Sequence, residues 1–124
     1  MSTTQSPLSD LLVTVKSREV QRGMLAEMAG DGEGAARHFL AAAHLELVLA
    51  KDYAEAGLDD LALRSRLSAA SCFWRAGETS QARRHFQTAL QDYPERAEET
   101  RRLITELELH LPSASLRTDG PGSG

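Results

Sequence analysis

The chain has 124 residues, 41% of them hydrophobic and 26% charged, which is enough apolar matter for one modest core and sets a single domain as the expectation. A formal net charge of −4 and a pI near 5.5 leave no broad basic face for gripping nucleic acid phosphates. The single cysteine, Cys72, excludes an internal disulfide and a thiolate metal cluster, so stability is expected from packing. Aromatic residues are only 5%, and the abundance of Ala and Leu favours helices over a sheet built from β-branched residues.

Taken in chain order, residues 1–6 are expected to be disordered. They lack the charge and the following apolar run of a secretion signal, and no stretch approaches the roughly 18 to 20 apolar residues that span a bilayer. A cytoplasmic protein without a membrane partner is the expectation. Ser6-Pro7 can open a first helix, because serine caps free N–H groups and proline costs nothing in a first turn. Leu8, Leu11, Leu12 and Val15, then Val20, Met24 and Met28, recur at spacings of three and four until the run from Gly30 to Gly34. A second helix is expected from about Gly34 to Ala56, closed by Gly57. The acids of Leu58-Asp59-Asp60 suit the start of a third helix, which ends at Ala76-Gly77. A fourth helix spans about Thr79 to Tyr93. Pro94 stops it and opens a fifth, with Glu98 and Glu99 placed to pair with Arg102, and this helix ends near Leu111-Pro112. Residues 112–124 are rich in Ser, Gly and Pro and are expected to form a disordered tail, leaving one helical domain over 7–111.

Self-similarity organises these elements. Gly30 to Ala42 (GDGEGAARHFLAA) aligns without a gap on Gly77 to Ala89 (GETSQARRHFQTA), and six of thirteen positions are identical. Each copy is a glycine turn followed by a helix whose small residues, Ala35 and Ala42 or Ala82 and Ala89, admit a neighbouring helix around one large wedge, Phe39 or Phe86. Ala70, Phe73, Gly77, Ala82, Phe86, Ala89 and Pro94 together resemble a tetratricopeptide repeat, and Gly23, Gly30, Ala35, Phe39 and Ala42 form a thinner first copy. In the second copy Arg66 and Ala69 replace the family's bulky aromatic and Leu. In the first, Ala26 and Leu47 stand where the family has an aromatic and a closing proline. The two copies lie 47 residues apart instead of 34, which implies a lengthened second helix. The resemblance implies an all-α stack of about five antiparallel helices, arranged as helical hairpins in an α-α superhelix with a C-terminal capping helix. It also implies a protein-binding adaptor and not an enzyme.

Under that resemblance Trp74, one residue around from the core residue Phe73, looks onto the concave face, and a second core aromatic is the alternative. The candidate partner-binding set is Trp74, Arg75, Leu67, Ser71, Met24 and Arg64, for a peptide or protein partner. The family's lysine and asparagine clamp for a terminal carboxylate is not matched, because Val20, Met24, Leu67 and Ser71 stand at those positions. The second helix carries two apolar stripes, one through Ala35, Phe39, Ala42, Leu45, Leu49 and Tyr53, the other through Ala36, Leu40, Ala43, Leu47, Ala50 and Ala54. Burial on both sides within the monomer is one reading. The other is a homo-oligomer interface through residues 35–56, and the alternative function is then a structural homodimer with no third partner.

Catalytic readings are weaker. A His-phosphotransfer signalling domain is also a helical bundle of about this size, but a phosphohistidine at His44 would be repelled by the nearby Glu46. His38 and His44 point about 120° apart on a helix of ~3.6 residues per turn, and no metal-ligand spacing is present. His38 and His85 read as half-exposed repeat residues, and Cys72 reads as a small core filler. No glycine-rich phosphate loop follows a strand, so no catalytic, cofactor or metal site is expected. The pairs Arg83-Arg84 and Arg101-Arg102 sit near acids and read as solvated faces.

Overall fold

Three short turns of one design set the order of the helices. At Ala29-Gly30-Asp31, Ala56-Gly57-Leu58 and Ala76-Gly77-Glu78 the glycine takes φ of 78°, 77° and 86°. The residue after it donates its N–H to the carbonyl five positions back: Asp31 to Ala26, Leu58 to Tyr53 and Glu78 to Phe73, at 2.8 to 2.9 Å. This closure satisfies carbonyls that a helix end leaves open, and the positive φ is free of steric cost only for glycine. In the computed structural model, which describes residues 7–110, the helices so delimited are α1 (Pro7–Met28), α2 (Gly32–Glu55), α3 (Asp59–Arg75) and α4 (Thr79–Asp92). A 3-10 turn over Pro94–Arg96 then leads into α5 (Ala97–His110). No strand occurs among the described residues. The expected disordered segments 1–6 and 112–124 lie outside them.

The differences from the expected boundaries have local causes. The second helix starts two residues early, at Gly32, because the Asp31 carboxylate accepts the Gly34 N–H at 2.8 Å and caps it from there. Pro94 opens a 3-10 turn before the fifth helix proper. Arg96 in that turn takes Glu99 (2.8 Å) and Asp60 (2.6 Å), so Glu99 pairs backward with Arg96 and not forward with Arg102.

Each helix packs on the next, and α2 lies between α1 and α3 while α5 covers α4 and touches α3. Phe39 and Phe86, the equivalent aromatic residues of the two similar sequence segments, both lie in the core. They are 0% and 2% exposed, and alanines 35, 42, 82 and 89 beside them are buried. Small residues there let helix axes approach closely, and the rings fill the space between. Phe73, Trp74, Leu63 and Leu67 complete this main core. Lengthening of the first hairpin adds a second cluster at its far end, where Leu49, Tyr53 and Ala62 meet Leu12, Val13, Leu58 and Leu61.

Both apolar stripes of α2 are used inside the monomer, to different degrees. Ala35, Phe39, Ala42, Leu49 and Tyr53 are buried and Leu45 is half-buried. Ala43 and Ala50 of the other stripe are buried, Ala36, Leu40 and Leu47 are half-buried, and Ala54 is exposed.

Candidate functional site

Between α1 and α3 the helices stand apart, and a trough opens over α2. Its larger part, about 470 Å³, is walled by Lys16 and Val20 of α1, by Arg64, Leu67, Ser68, Ser71 and Arg75 of α3, and by Glu99 and Leu103 of α5, with Phe39 and Glu46 of α2 beneath. A further 170 Å³ continues toward Val13, Tyr53 and Leu61 and shares Lys16, Glu46, Arg64 and Ser68 with the first part. The α3 wall follows from spacing. Residues 64, 68, 71 and 75 recur at four, three and four, so they share one face, and that face carries polar side chains where the helix's other faces carry Leu, Ala and Phe.

The floor holds the least ordinary group in the molecule. Glu46 is 4% exposed. Its carboxylate meets Lys16 Nζ at 3.4 Å. Burial raises its pKa above the usual carboxylate range, and Lys16 with the hydroxyls of Ser65 and Ser68 offsets only part of that. Because the folded-state pKa lies above the unfolded one, the contribution of Glu46 to stability is full below the unfolded value of 4.5 and is lost as pH rises through the folded value. The ionised carboxylate therefore costs stability at neutral pH. Glu46→Gln is expected to be more favourable to stability at pH 7 than at pH 4, because only the ionised carboxylate carries the burial cost. Urea titrations at the two pH values check it, and a constant difference would show that ionisation is not the cause.

The other walls are pinned by polar contacts between helices. Ser9 of α1 donates to Asp52 Oδ2 at 2.6 Å, and His38 Nδ1 lies 2.7 Å from Glu19 Oε1. Arg75 donates to Glu27 at 2.8 Å and lies over the Phe39 ring, 4.3 Å from its centroid. Gly23 permits this arrangement, since a Cβ there would stand 2.9 Å from the Phe39 ring.

Of the six candidate partner residues, the structure brings four to the trough. Arg64 is exposed at the rim, Ser71 and Arg75 are half-buried on the wall, and Leu67 is buried at its base. Met24 is exposed on α1 away from these residues. Trp74 is corrected outright. It is 2% exposed and lines a separate small cavity with Phe86, Gln87, Leu90 and Ile104, under the guanidinium of Arg83 at 5.2 Å. One step past Phe73 turns the side chain by about 100°, and that direction leads to α4 and α5, not to the trough between α1 and α3. It is the second core aromatic. Sequence reasoning missed Lys16, Glu46 and Ser68.

The remaining candidates are placed as follows. Burial pushes the Cys72 thiol up to about 11, with the Glu46 charge adding to it, which keeps it protonated and unreactive at neutral pH. His85 stacks on Phe73 at 5.2 Å, and burial, Arg84, Arg66 and His44 lower its pKa, so it is neutral at pH 7. His38 and His85 are both half-exposed. His44 meets the edge of Phe73 at 5.4 Å on the opposite side of α2 from Glu46. Two helical steps separate the side chains of His44 and Glu46 by about 200°. Arg83, Arg84, Arg101 and Arg102 are exposed, and Arg83 reaches Glu108 at 3.8 Å. No group of three or more metal-ligating side chains, and no helix long and apolar enough to cross a membrane, occurs among the described residues. Compared with protein-family models, with curated proteins and with solved structures, the chain matches none of them.

Proposed function

We propose that the chain is a non-enzymatic helical adaptor of tetratricopeptide type that holds an extended peptide segment of a partner protein in the trough between α1 and α3. The observation that supports this most is the buried Glu46 at the trough floor. A carboxylate that costs stability where it stands, beside a lysine and two serines on the floor of an open trough, supports a role for this site in binding. Leu67, Val20 and Leu103 give the trough apolar patches for side chains. Lys16, Arg64 and the serines give donors for a peptide backbone or polar groups.

Photo-crosslinking tests the reading. Benzoylphenylalanine in place of Ser71, in protein recovered from the cells that make it, should yield discrete protein adducts that Arg64→Glu diminishes. The same group in place of Gln87, on the α4 side, should yield none of them. Identical adducts from both positions would remove the trough from consideration.

A further inference from the structure

A second cleft, of about 510 Å³, opens between α2 and α4. Leu47, Ala50, Lys51, Ala54 and Glu55 of α2 form one side, His85 and Thr88 of α4 the other, and Arg66 of α3 completes it. It shares no residue with the trough. Arg66 stands two positions from the trough residue Arg64, so the two side chains leave α3 about 200° apart.

The lining joins an apolar strip, Leu47, Ala50 and Ala54, to a set of cations. Arg66 is half-buried, donates to Asp92 at 2.5 Å and lies over the Tyr93 ring, 5.9 Å from its centroid, which fixes the guanidinium in place. Lys51 is exposed. The stack on Phe73 holds the His85 ring. Neither Lys51 nor a ring nitrogen of His85 takes a hydrogen-bond or ion-pair partner among the described residues. Besides burial, Arg84 of α4, Arg66 of α3 and His44 of α2 each lower the pKa of His85, and no carboxylate raises it. The acids at hand are Glu55, exposed in the last turn of α2, and Asp92, which Arg66 holds. They leave the field at His85 positive, against a net charge of −4 for the whole chain.

We propose that this cleft binds a small organic phosphate, with the phosphoryl oxygens among Arg66, Lys51 and His85 and the carbon skeleton on Leu47, Ala50 and Ala54. A dianion with three acceptor oxygens suits a guanidinium, an ammonium and an imidazole better than a single carboxylate does. Its charge opposes the field of Arg84, Arg66 and His44 and favours the imidazolium of His85. Binding therefore takes up a proton and tightens as the pH falls from about 8 toward about 6.5, above the second ionisation of the phosphate itself. A cleft this open holds a small ligand with a dissociation constant on the order of 1 mM. The site stands independently of the peptide reading.

NMR of the histidine Cε1–H groups in the full chain tests the proposal, with phenyl phosphate and inorganic phosphate as probes and sodium chloride at matched ionic strength as the control. Phenyl phosphate should move the His85 resonance saturably and raise its pKa, while His38, paired with Glu19 of α1, stays in place. Inorganic phosphate should bind several-fold more weakly, because it leaves the apolar strip empty. Lys51→Gln should weaken phenyl phosphate roughly five-fold, and Arg66→Gln should weaken it further. Lys51 is exposed, so its variant keeps the fold whatever the loss of the Arg66–Asp92 pair does to α4. No saturable shift of His85 up to about 20 mM phenyl phosphate, an equal shift with chloride, or unchanged binding by Lys51→Gln would overturn the proposal. So would inorganic phosphate that binds as tightly as phenyl phosphate. Tighter binding of a phosphoserine nonapeptide than of phenyl phosphate would overturn the assignment to a small molecule.

Discussion

Phe39→Ala should lower the unfolding free energy by about 3–5 kcal/mol, which is a large part of the whole for a domain whose total lies near 5–15 kcal/mol. The ring is fully buried and is held on three sides by different helices. Gly23 of α1 touches one edge, the Arg75 guanidinium of α3 covers a face, and the alanines of α2 flank its stem. The backbone at Gly23 and the small residues of α2 offer little to fill the space the ring leaves, which places the loss within the range for such deletions. Guanidinium unfolding of parent and variant gives the number. A loss under about 1 kcal/mol would show that Phe39 is not the wedge that joins the first hairpin to α3.

The same contact predicts a reversal of sign. Gly23→Ala in the parent places a methyl 2.9 Å from a ring that cannot retreat, and overpacking of that kind costs about 1–3 kcal/mol. Alanine is the better helix former by about 1 kcal/mol, so the net loss is modest. In the Phe39→Ala background the obstacle is gone, and the same substitution should stabilise. The double-mutant cycle then carries a coupling energy of about 1–3 kcal/mol. Additive losses would mean that α1 and α2 do not approach through this pair.

The helices were readable because their ends are written in glycine. Three Ala-Gly steps mark three closures of the same geometry, and the Phe-centred repeat marks which faces go inward. Directions around a helix were harder, since they depend on which neighbours come to lie there. Glu46 shows the difficulty and also its remedy. The buried line of α2 runs 35, 39, 42, 46, 49, 53, alternating four and three, and Glu46 occupies the place in it that Leu45 was expected to hold. A charged residue on an apolar stripe invites the reading that the stripe bends around it. Period alone keeps it in line, and Lys16 stands on the inward line of α1 through Ser9, Val20 and Gly23. One acid and one base, each on the inward face of adjacent helices, is a signal that a buried pair exists. Whether α1 and α3 would part enough to leave a trough above that pair was not contained in either helix separately.

Trp74→Ala should cost about 3–5 kcal/mol of stability, a result that bears on how any binding experiment with this residue is understood. Had the side chain faced the concave trough, its removal would have weakened a partner and left the fold intact. It lies instead beneath α4 and α5, against Phe86, Leu90 and Ile104, with Arg83 closing over the ring. Loss of the indole removes the filling between the second hairpin and the helix that covers it. The consequence is expected to be graded along the chain. Amide exchange in α4 and α5 should accelerate most, and exchange in α1 and in the first half of α2 should accelerate least, because those segments rest on Phe39 and on the Leu49 cluster. Weaker partner capture by Trp74→Ala would then report a loosened C-terminal half. Ser71 and Arg64, which stand on the trough itself and outside the core, are the positions at which a loss of binding with unchanged exchange rates would identify a contact.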